Sequence, residues 1–460
     1  MTDILTNTAR YLESALAKLA AYPAPPLAKA ALCFSGGLDS VICAIFLREK
    51  YPHTPVIAYT VDVGQGEDEL ARAQERGAHF GLDVRFLDAK AELAEWLTLA
   101  IRANVDYQGY PCATSMTRQL IGSLVARQAL DSECDAIIDG SSGKGNDQFR
   151  IHNSVKAFAP DMQVILPVRD VNLTRLEEMA LCEHYGVPID EVIVGGEDRT
   201  IWARSIASGG ITLQTELPDD IWVWYVPPRE APDDSAIFTL TYEAGVPVAM
   251  NGQRMPLLEL VPILNELGGV HAIGRIDVFE DGIMDLKSRE VYEAPAATIL
   301  LALHRDLEQL TLTKDELAFK RTVDARWSEL VFGAEWFTPL KRDLDAFVLA
   351  SQAVVNGTYE IELYKGNLTI LRRLSPSSLY FPDIRSIQSP SFDQRWAGQA
   401  ALIRGLPLEL LARRDARWAE TKQRLAEDAT EGNDVHFDGD TDADADTDAD
   451  ADTDGDRGSE

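Results

Sequence analysis

The sequence predicts an α/β fold in which a doubly wound parallel sheet is followed by a second, α+β domain. Three observations carry that prediction. From Lys29 to about residue 194, short apolar runs alternate with amphipathic stretches of helical period, the order that gives parallel strands covered on both faces. After Gly195 and Gly196 this alternation stops, and paired strands with polar turns mix with longer helices. The chain has 460 residues, 46% of them hydrophobic, enough for two or three domains with cores of their own.

Each element has a local reason. Residues 9–21 repeat apolar positions at helical spacing and stop at Pro23, Pro25 and Pro26, so residues 1–28 read as a helical extension and stiff linker, surface-packed or partly mobile. In 29–194, ALCFS reads as a buried strand, Ser40 to Glu49 as a helix, PVIAYTVDV as a strand and Glu67 to Gly77 as a helix. VRFLDA, a helical stretch through Asn104, a helix near Met116 to Ala129, and the strands DAIIDG and QVILPV follow. In 195–397, FTLTYEAGVPVAMNG and YEIELYKGNLTILRR read as hairpins, the second turning at Lys365 to Asn367, and RIDVFEDGIMDLKSR supplies two more strands. Leu257 to Leu267, Ala297 to Leu310, Lys314 to Phe332 and Leu340 to Ala353 read as helices. Residues 398–430 form a last helical region centred on Gln399 to Leu425, and 431–460 read as a disordered acidic tail with almost no side chain fit for a core.

The net charge of -31 is unevenly spread: Glu431 to Glu460 hold 13 acidic side chains and one Arg457. The rest of the chain has 61 acids against 42 bases. An acidic body repels phosphate backbones and anionic lipid, which argues against nucleic acid or membrane as the partner and suits small molecules. A high-salt cytoplasm would favour the same excess. The Asp-rich run lacks the Gly and distal Glu of a calcium loop. The five cysteines, Cys33, Cys43, Cys112, Cys134 and Cys182, form no C-x-x-C pair, which suits free thiols in a reducing compartment. No run reaches the ~18 apolar residues of a membrane span, and the start has no signal-like apolar stretch. These features together predict a cytoplasmic protein.

The first strand ends in Phe34-Ser35-Gly36-Gly37-Leu38-Asp39-Ser40, and a helix begins at once. Two glycines let backbone amides approach an anion, the helix start adds aligned N–H groups, and Ser35 and Ser40 add hydroxyls. No lysine stands inside this loop, so it is not the loop that grips a transferred γ-phosphate. SGGLDS resembles the PP-loop of the ATP pyrophosphatases, which implies adenylation followed by nucleophilic displacement. A second glycine-rich loop, Gly140-Ser141-Ser142-Gly143-Lys144-Gly145, leads from the strand DAIID to Asn146, Asp147 and Arg150. An amide, a carboxylate and a guanidinium at the carboxyl end of a sheet suit the two charged ends of an amino acid.

Together with Tyr110 to Arg118, KSREVYEAP and SPSSLY, these motifs resemble the argininosuccinate synthase family over about residues 30–425. The resemblance implies a PP-loop nucleotide-binding domain, a synthetase and multimerisation domain, and a homotetramer to which the C-terminal helix contributes. It also implies MgATP-dependent joining of citrulline to aspartate through citrullyl-AMP. ATP would be held by Ala31, Phe34, Ser35, Gly36, Gly37, Leu38, Asp39, Ser40, Val61 and Gly140, with no protein ligand set for the metal. Ser142, Asn146 and Asp147 would hold aspartate. Tyr110, Ser115, Asn146, Arg150, Ser205, Glu280 and Tyr292 would hold citrulline, and Thr114 and Lys144 would also bind substrate. Asp39, Arg118, Asn146 and Asp147 would carry the chemistry, with Asp147 steering the incoming ammonium by its charge or as a proton acceptor.

Some positions depart from the family pattern. Gly196 replaces a Ser, Arg199 and Thr200 replace Glu and Asn, and Asp139, Ser142 and His152 replace His, Thr and Glu. Arg199 would add a cation near the acceptor pocket, which keeps open an adenylating ligase of the same family with a different amide or carboxylate acceptor. A tRNA-modifying PP-loop enzyme conflicts with the acidic body. A non-catalytic homologue conflicts with the presence of Asp39, Lys144, Asn146, Asp147 and Arg150.

Overall fold

The computed structural model describes residues 2–188, 197–206 and 211–431. Gly195, Gly196 and the tail beyond Glu431 therefore lie outside the described residues. Helix α1 (Thr2–Ala21) leads to β1 (Ala30–Cys33), α2 (Leu38–Lys50), β2 (Val56–Asp62), α3 (Glu67–His79) and β3 (Asp83–Asp88). Then come α4 (Lys90–Arg102), α5 (Ala113–Asp131), β4 (Ala136–Ile138), α6 (Asp147–Phe158), β5 (Gln163–Ile165), α7 (Pro167–Asp170) and α8 (Arg175–His184). The five strands form one parallel sheet in the order β3-β2-β1-β4-β5. The chain builds outward from β1 in one direction and then crosses to β4 on the other side. Between β1 and β4 the strand order reverses, and that is where open α/β sheets bind ligands, at the carboxyl ends.

The first strands read as unbroken apolar runs because both sheet faces are covered. β1 is buried at all four positions, and its two faces feed separate clusters, Ala31 and Cys33 on one side, Ala30 and Leu32 on the other. Helix α6 was not expected from the sequence: in DQFRIHNSVKAF the buried positions Gln148, Arg150, Ile151, Ser154 and Val155 mix polar with apolar. Its inner face is a site surface as well as a core face, which blurs the hydrophobic period.

Helix α1 is a docked element, with Ala15 and Leu19 buried. Thr174 and Glu177 form a capping box at the start of α8, and the Glu177 carboxylate also accepts from Ser14 Oγ at 2.7 Å and Lys18 Nζ at 2.8 Å. Burial alone would raise the pKa of Glu177, but Lys18, Ser14 and Thr174 outweigh it and hold it at about 2. A lowered carboxylate pKa contributes stability above the ordinary value, lost as the pH falls toward the folded one. Lys18→Ala should therefore cost about 1 kcal/mol at neutral pH, and the gap in urea midpoint between variant and parent should shrink below pH 4.5. A gap independent of pH would remove the ion pair as its cause.

The second half contains β6 (Glu197–Arg199), β7 (Arg204–Ile206), β8 (Ala236–Glu243), β9 (Val246–Met250), β10 (Gln253–Arg254), α9 (Leu257–Val270), β11 (Arg275–Asp281) and β12 (Lys287–Glu293). It continues with α10 (Pro295–Thr311), α11 (Lys314–Phe332), α12 (Pro339–Ser351), β13 (Gly357–Tyr364) and β14 (Asn367–Leu374). Two antiparallel sheets result, β10-β9-β8-β13-β14 and β11-β12-β7-β6. The predicted hairpins are all present. Strands β6 and β7, three residues each, were too short to show a period, yet they bring Asp198 and Ser205 beside Tyr292. Residues from Phe381 form a second compact unit with the short helix α13 (Pro382–Arg385) and the 36-residue helix α14 (Trp396–Glu431).

Candidate active site

The two glycine-rich loops leave adjacent strands and touch. The first runs from β1 into α2. Gly36 has φ +75°, and a Cβ there would stand 2.7 Å from the Ala73 backbone on α3, so only glycine fits. Gly37 precedes α2 and, having no side chain, caps none of the backbone N–H groups at the helix start. Ser40 Oγ donates to the Gly37 carbonyl at 2.9 Å and Gly37 N–H donates to Ser35 Oγ at 3.3 Å. Thr60 Oγ1 donates to the Phe34 carbonyl at 2.6 Å and Arg76 to that of Gly36 at 2.5 Å, fixing the loop from β2 and α3. Gly140 begins the second loop with its Cα packed on Asp39: a Cβ there would meet the Asp39 carbonyl carbon at 2.8 Å. Asp139 accepts from the Ser141 hydroxyl and, at 2.9 Å, from its N–H.

Of the residues expected at ATP, Ser35 is exposed and Asp39 half-buried, while Phe34, Gly36, Leu38, Ser40 and Gly140 are buried around them. Ala31 and Val61 stand apart: both side chains are in the core, with Ala31 paired in the sheet to Ile57 and Ile137. Asp39 accepts from Arg175 Nη1 at 2.6 Å, and Arg175 also holds buried Glu178 at 2.9 Å. Burial, then the nearby Asp39, pushes Glu178 up to about 7. Neither Arg175 nor Glu178 belongs to a recognisable motif, so sequence reading passed over them.

A ladder of charge sits beside the second loop. Asp147, the first residue of α6, accepts from Arg118 Nε at 2.9 Å and from Arg150 Nη1 at 2.9 Å. The other end of Arg118 meets Asp198 at 3.0 Å. Burial would raise the pKa of Asp147, but the two guanidiniums outweigh it, and the carboxyl is held below its ordinary range. The Asn146 side-chain carbonyl accepts from Ile283 N–H at 2.9 Å, so the loop after β11 is clipped to the start of α6. Ser142 is half-buried, and Lys144 is exposed.

Deeper in, Tyr110 is buried among other residues expected at citrulline. Its hydroxyl accepts from Thr114 N–H at 2.6 Å and Ser115 N–H at 3.4 Å, capping α5 from outside the helix. Its ring stacks on Tyr292 at 4.3 Å, and the Tyr292 hydroxyl donates to Glu280 at 3.1 Å. Burial, then Glu290, pushes Glu280 up to about 7 against the pull of Tyr292 and Arg150. Thr114 and Ser205 share a hydroxyl hydrogen bond at 3.1 Å. The Ser115 hydroxyl is fully buried and has no hydrogen-bond partner among the described residues, a polar group that a ligand would satisfy.

Residues 29–188 match the family model described as the Arginosuccinate synthase N-terminal HUP domain, and residues 196–411 match the Arginosuccinate synthase C-terminal domain. The chain belongs to the argininosuccinate synthase family. An argininosuccinate synthase of Methanopyrus kandleri is 41% identical over 393 residues, 84% of this chain and 100% of that protein. Those of Archaeoglobus fulgidus and Methanococcus maripaludis are 40% and 41% identical, covering 84% and 80% of this chain and 99% and 93% of theirs.

One expectation about this argininosuccinate synthase family member is corrected. Arg199 does not bring a cation to the residues around Tyr110: its guanidinium lies at 3.5 Å from Asp68, 3.8 Å from Glu69 and 3.7 Å from Glu197, against the first turn of α3. Thr200 is buried in a turn, bonded to the backbone of Trp202 and Ala203. His152 is only partly buried, and burial followed by Lys156 and Arg169 lowers its pKa. The replacement at Gly196 lies outside the described residues. No helix among the described residues is long and apolar enough to cross a membrane, and all five cysteines are buried.

Proposed function

We propose that the chain condenses citrulline with aspartate, consuming ATP and releasing AMP and pyrophosphate. The observation that carries this reading is the meeting of three surfaces: two glycine-rich loops at the β1/β4 reversal, Asp147 held ionised between Arg118 and Arg150, and the Tyr110–Tyr292–Glu280 cluster. The uncapped start of α2 and the serines of the first loop would seat the phosphates. Tyr110, Arg150 and Glu280 would orient citrulline so that its ureido oxygen forms a bond to the α-phosphorus as the bond to pyrophosphate breaks. The aspartate ammonium, placed by Asn146, Ser142, Lys144 and Asp147, gives up a proton to solvent, and the amine so formed attacks the activated carbon as AMP leaves with the bonding electrons. Placement and charge neutralisation suffice, without a covalent enzyme intermediate. Asp147 acts here by charge, since a carboxyl held below its ordinary range is a poor proton acceptor at neutral pH.

The donor set at the first loop fits Mg²⁺. It offers one partly exposed carboxylate, Asp39, and the hydroxyls of Ser35 and Ser40, which suits a hydrated hard cation carried largely by phosphate oxygens. When bound, Mg²⁺ supplies neutralisation of phosphate charge. An odd number of buried cysteines with no C-x-x-C pair supports a reducing, cytoplasmic setting. A homotetramer is supported by α14, which leaves Leu402, Ile403 and Leu408 at least 67% exposed.

Pyrophosphate release with ATP, Mg²⁺ and aspartate should depend on citrulline, in a preparation whose mass by light scattering is that of four chains. Release that ignores citrulline at millimolar levels would reject the reading of the reaction, and a monomer that of the assembly.

A further inference from the structure

Helix α11 ends beside Arg150 and Tyr110. The last carbonyls of a helix have no partner within it, and here side chains from the first half supply them. Gln119 Nε2 of α5 donates to the Val331 carbonyl at 2.8 Å, Asn153 Nδ2 of α6 to that of Ala334 at 3.2 Å, and Arg150 to that of Phe332 through Nε and Nη2, both at 3.4 Å. The negative end of the α11 dipole favours a guanidinium at that spot.

Phe332 does more than offer its carbonyl. Its ring, 2% exposed, lies under the Arg150 guanidinium at 5.0 Å from the centroid. The same ring stacks on Tyr107 at 3.7 Å and meets Tyr110 edge-on at 6.4 Å and 85°. Tyr107 and Tyr110 exchange backbone hydrogen bonds at 2.9 and 3.0 Å, so that turn is held from the ring side as well. One side chain thus touches both Arg150 and Tyr110.

We infer that Phe332 is a positioning residue: its ring and carbonyl fix the plane of Arg150 and the place of Tyr110, and through them the seat of the amino-acid acceptor. The inference rests on the proposed citrulline–aspartate reaction. The carbonyl survives any side-chain change, so the contribution of the ring can be isolated. A desolvated cation over an aromatic face is attracted strongly enough for its loss to be measurable in binding.

Phe332→Leu should raise the KM for citrulline about tenfold, with kcat and the KM for ATP changed less than about threefold. In an Arg150→Lys background the same substitution should raise the citrulline KM clearly less than in the parent, the remainder being the share that runs through Tyr110, because residues that act through one another are not additive. A general packing defect would instead alter the ATP KM or multiply the citrulline KM equally in both backgrounds, and either result overturns the inference, as does an unchanged citrulline KM. Should Phe332→Leu fail to fold, Phe332→Met keeps the length and loses the aromatic face, with the same outcomes deciding. Absence of citrulline-dependent turnover in the unmodified protein would reject the reaction and this inference with it. An unmodified protein that turns over normally beside a variant with an unchanged KM would reject the inference alone.

Discussion

Replacing Asp147 by Asn is expected to lower kcat/KM for aspartate at least about 100-fold, with the KM for ATP nearly unchanged. Both oxygens of this carboxylate are occupied, one by Arg118 and one by Arg150. It therefore does two things at once: it offers negative charge to an incoming ammonium and cancels two guanidiniums that would repel it. In the variant Arg118 keeps Asp198 at 3.0 Å and Arg150 keeps the Phe332 carbonyl, so the fold around them should survive while local charge turns positive. Because the carboxyl is held below its ordinary range, it stays ionised from neutral pH down through mild acid. The aspartate KM of the parent should therefore be flat there with respect to this group. Initial rates at varied aspartate and saturating ATP and citrulline decide the matter, and a variant with parental aspartate kinetics would exclude Asp147 from the amine site.

How much of this was legible in the sequence depends on how local the cause was. The parallel sheet was, because β1 and β2 are buried on both faces and read as continuous apolar runs. The hairpins were, because alternation and turn residues are neighbours in the chain. Glycine-rich loops also announce themselves, since a close approach such as that of Gly36 to Ala73 demands glycine. Helix α6 and strands β6 and β7 were not, because the first mixes site polarity into its inner face and the other two are three residues long. Long-range partners were also hidden: Arg175 reaches Asp39 across 136 positions and Phe332 meets Arg150 across 182. Arg199 was misplaced for a related reason. Its sequence neighbours Asp198 and Ser205 face the site, but its own side chain points along β6 toward α3, a direction that only the pairing of that short strand sets.

Gly140→Ala should reduce turnover at least about 100-fold, the loss that a misplacement of ~1 Å can cause at a reacting centre. The new Cβ would lie 2.8 Å from the Asp39 carbonyl carbon and 2.9 Å from its oxygen and Cβ. These are backbone and near-backbone atoms that cannot swing away as a long side-chain end would. Asp39 is the second residue of α2, so relief requires the first loop to separate from the second, which disturbs the phosphate seat and the start of α6 together. The KM for ATP and the KM for aspartate should rise in the same variant, because the contact with Asp39 couples the two loops. Gly81→Ala and Gly186→Ala are the controls. Both glycines have left-handed backbone, φ +66° and +69°, with nothing within 4 Å of a built Cβ. They should lose about 1 kcal/mol of stability and no activity. If Gly140→Ala behaves like them, with a lower Tm and unchanged kinetic constants, the contact between the two loops is packing alone, and ATP and aspartate are bound independently of each other.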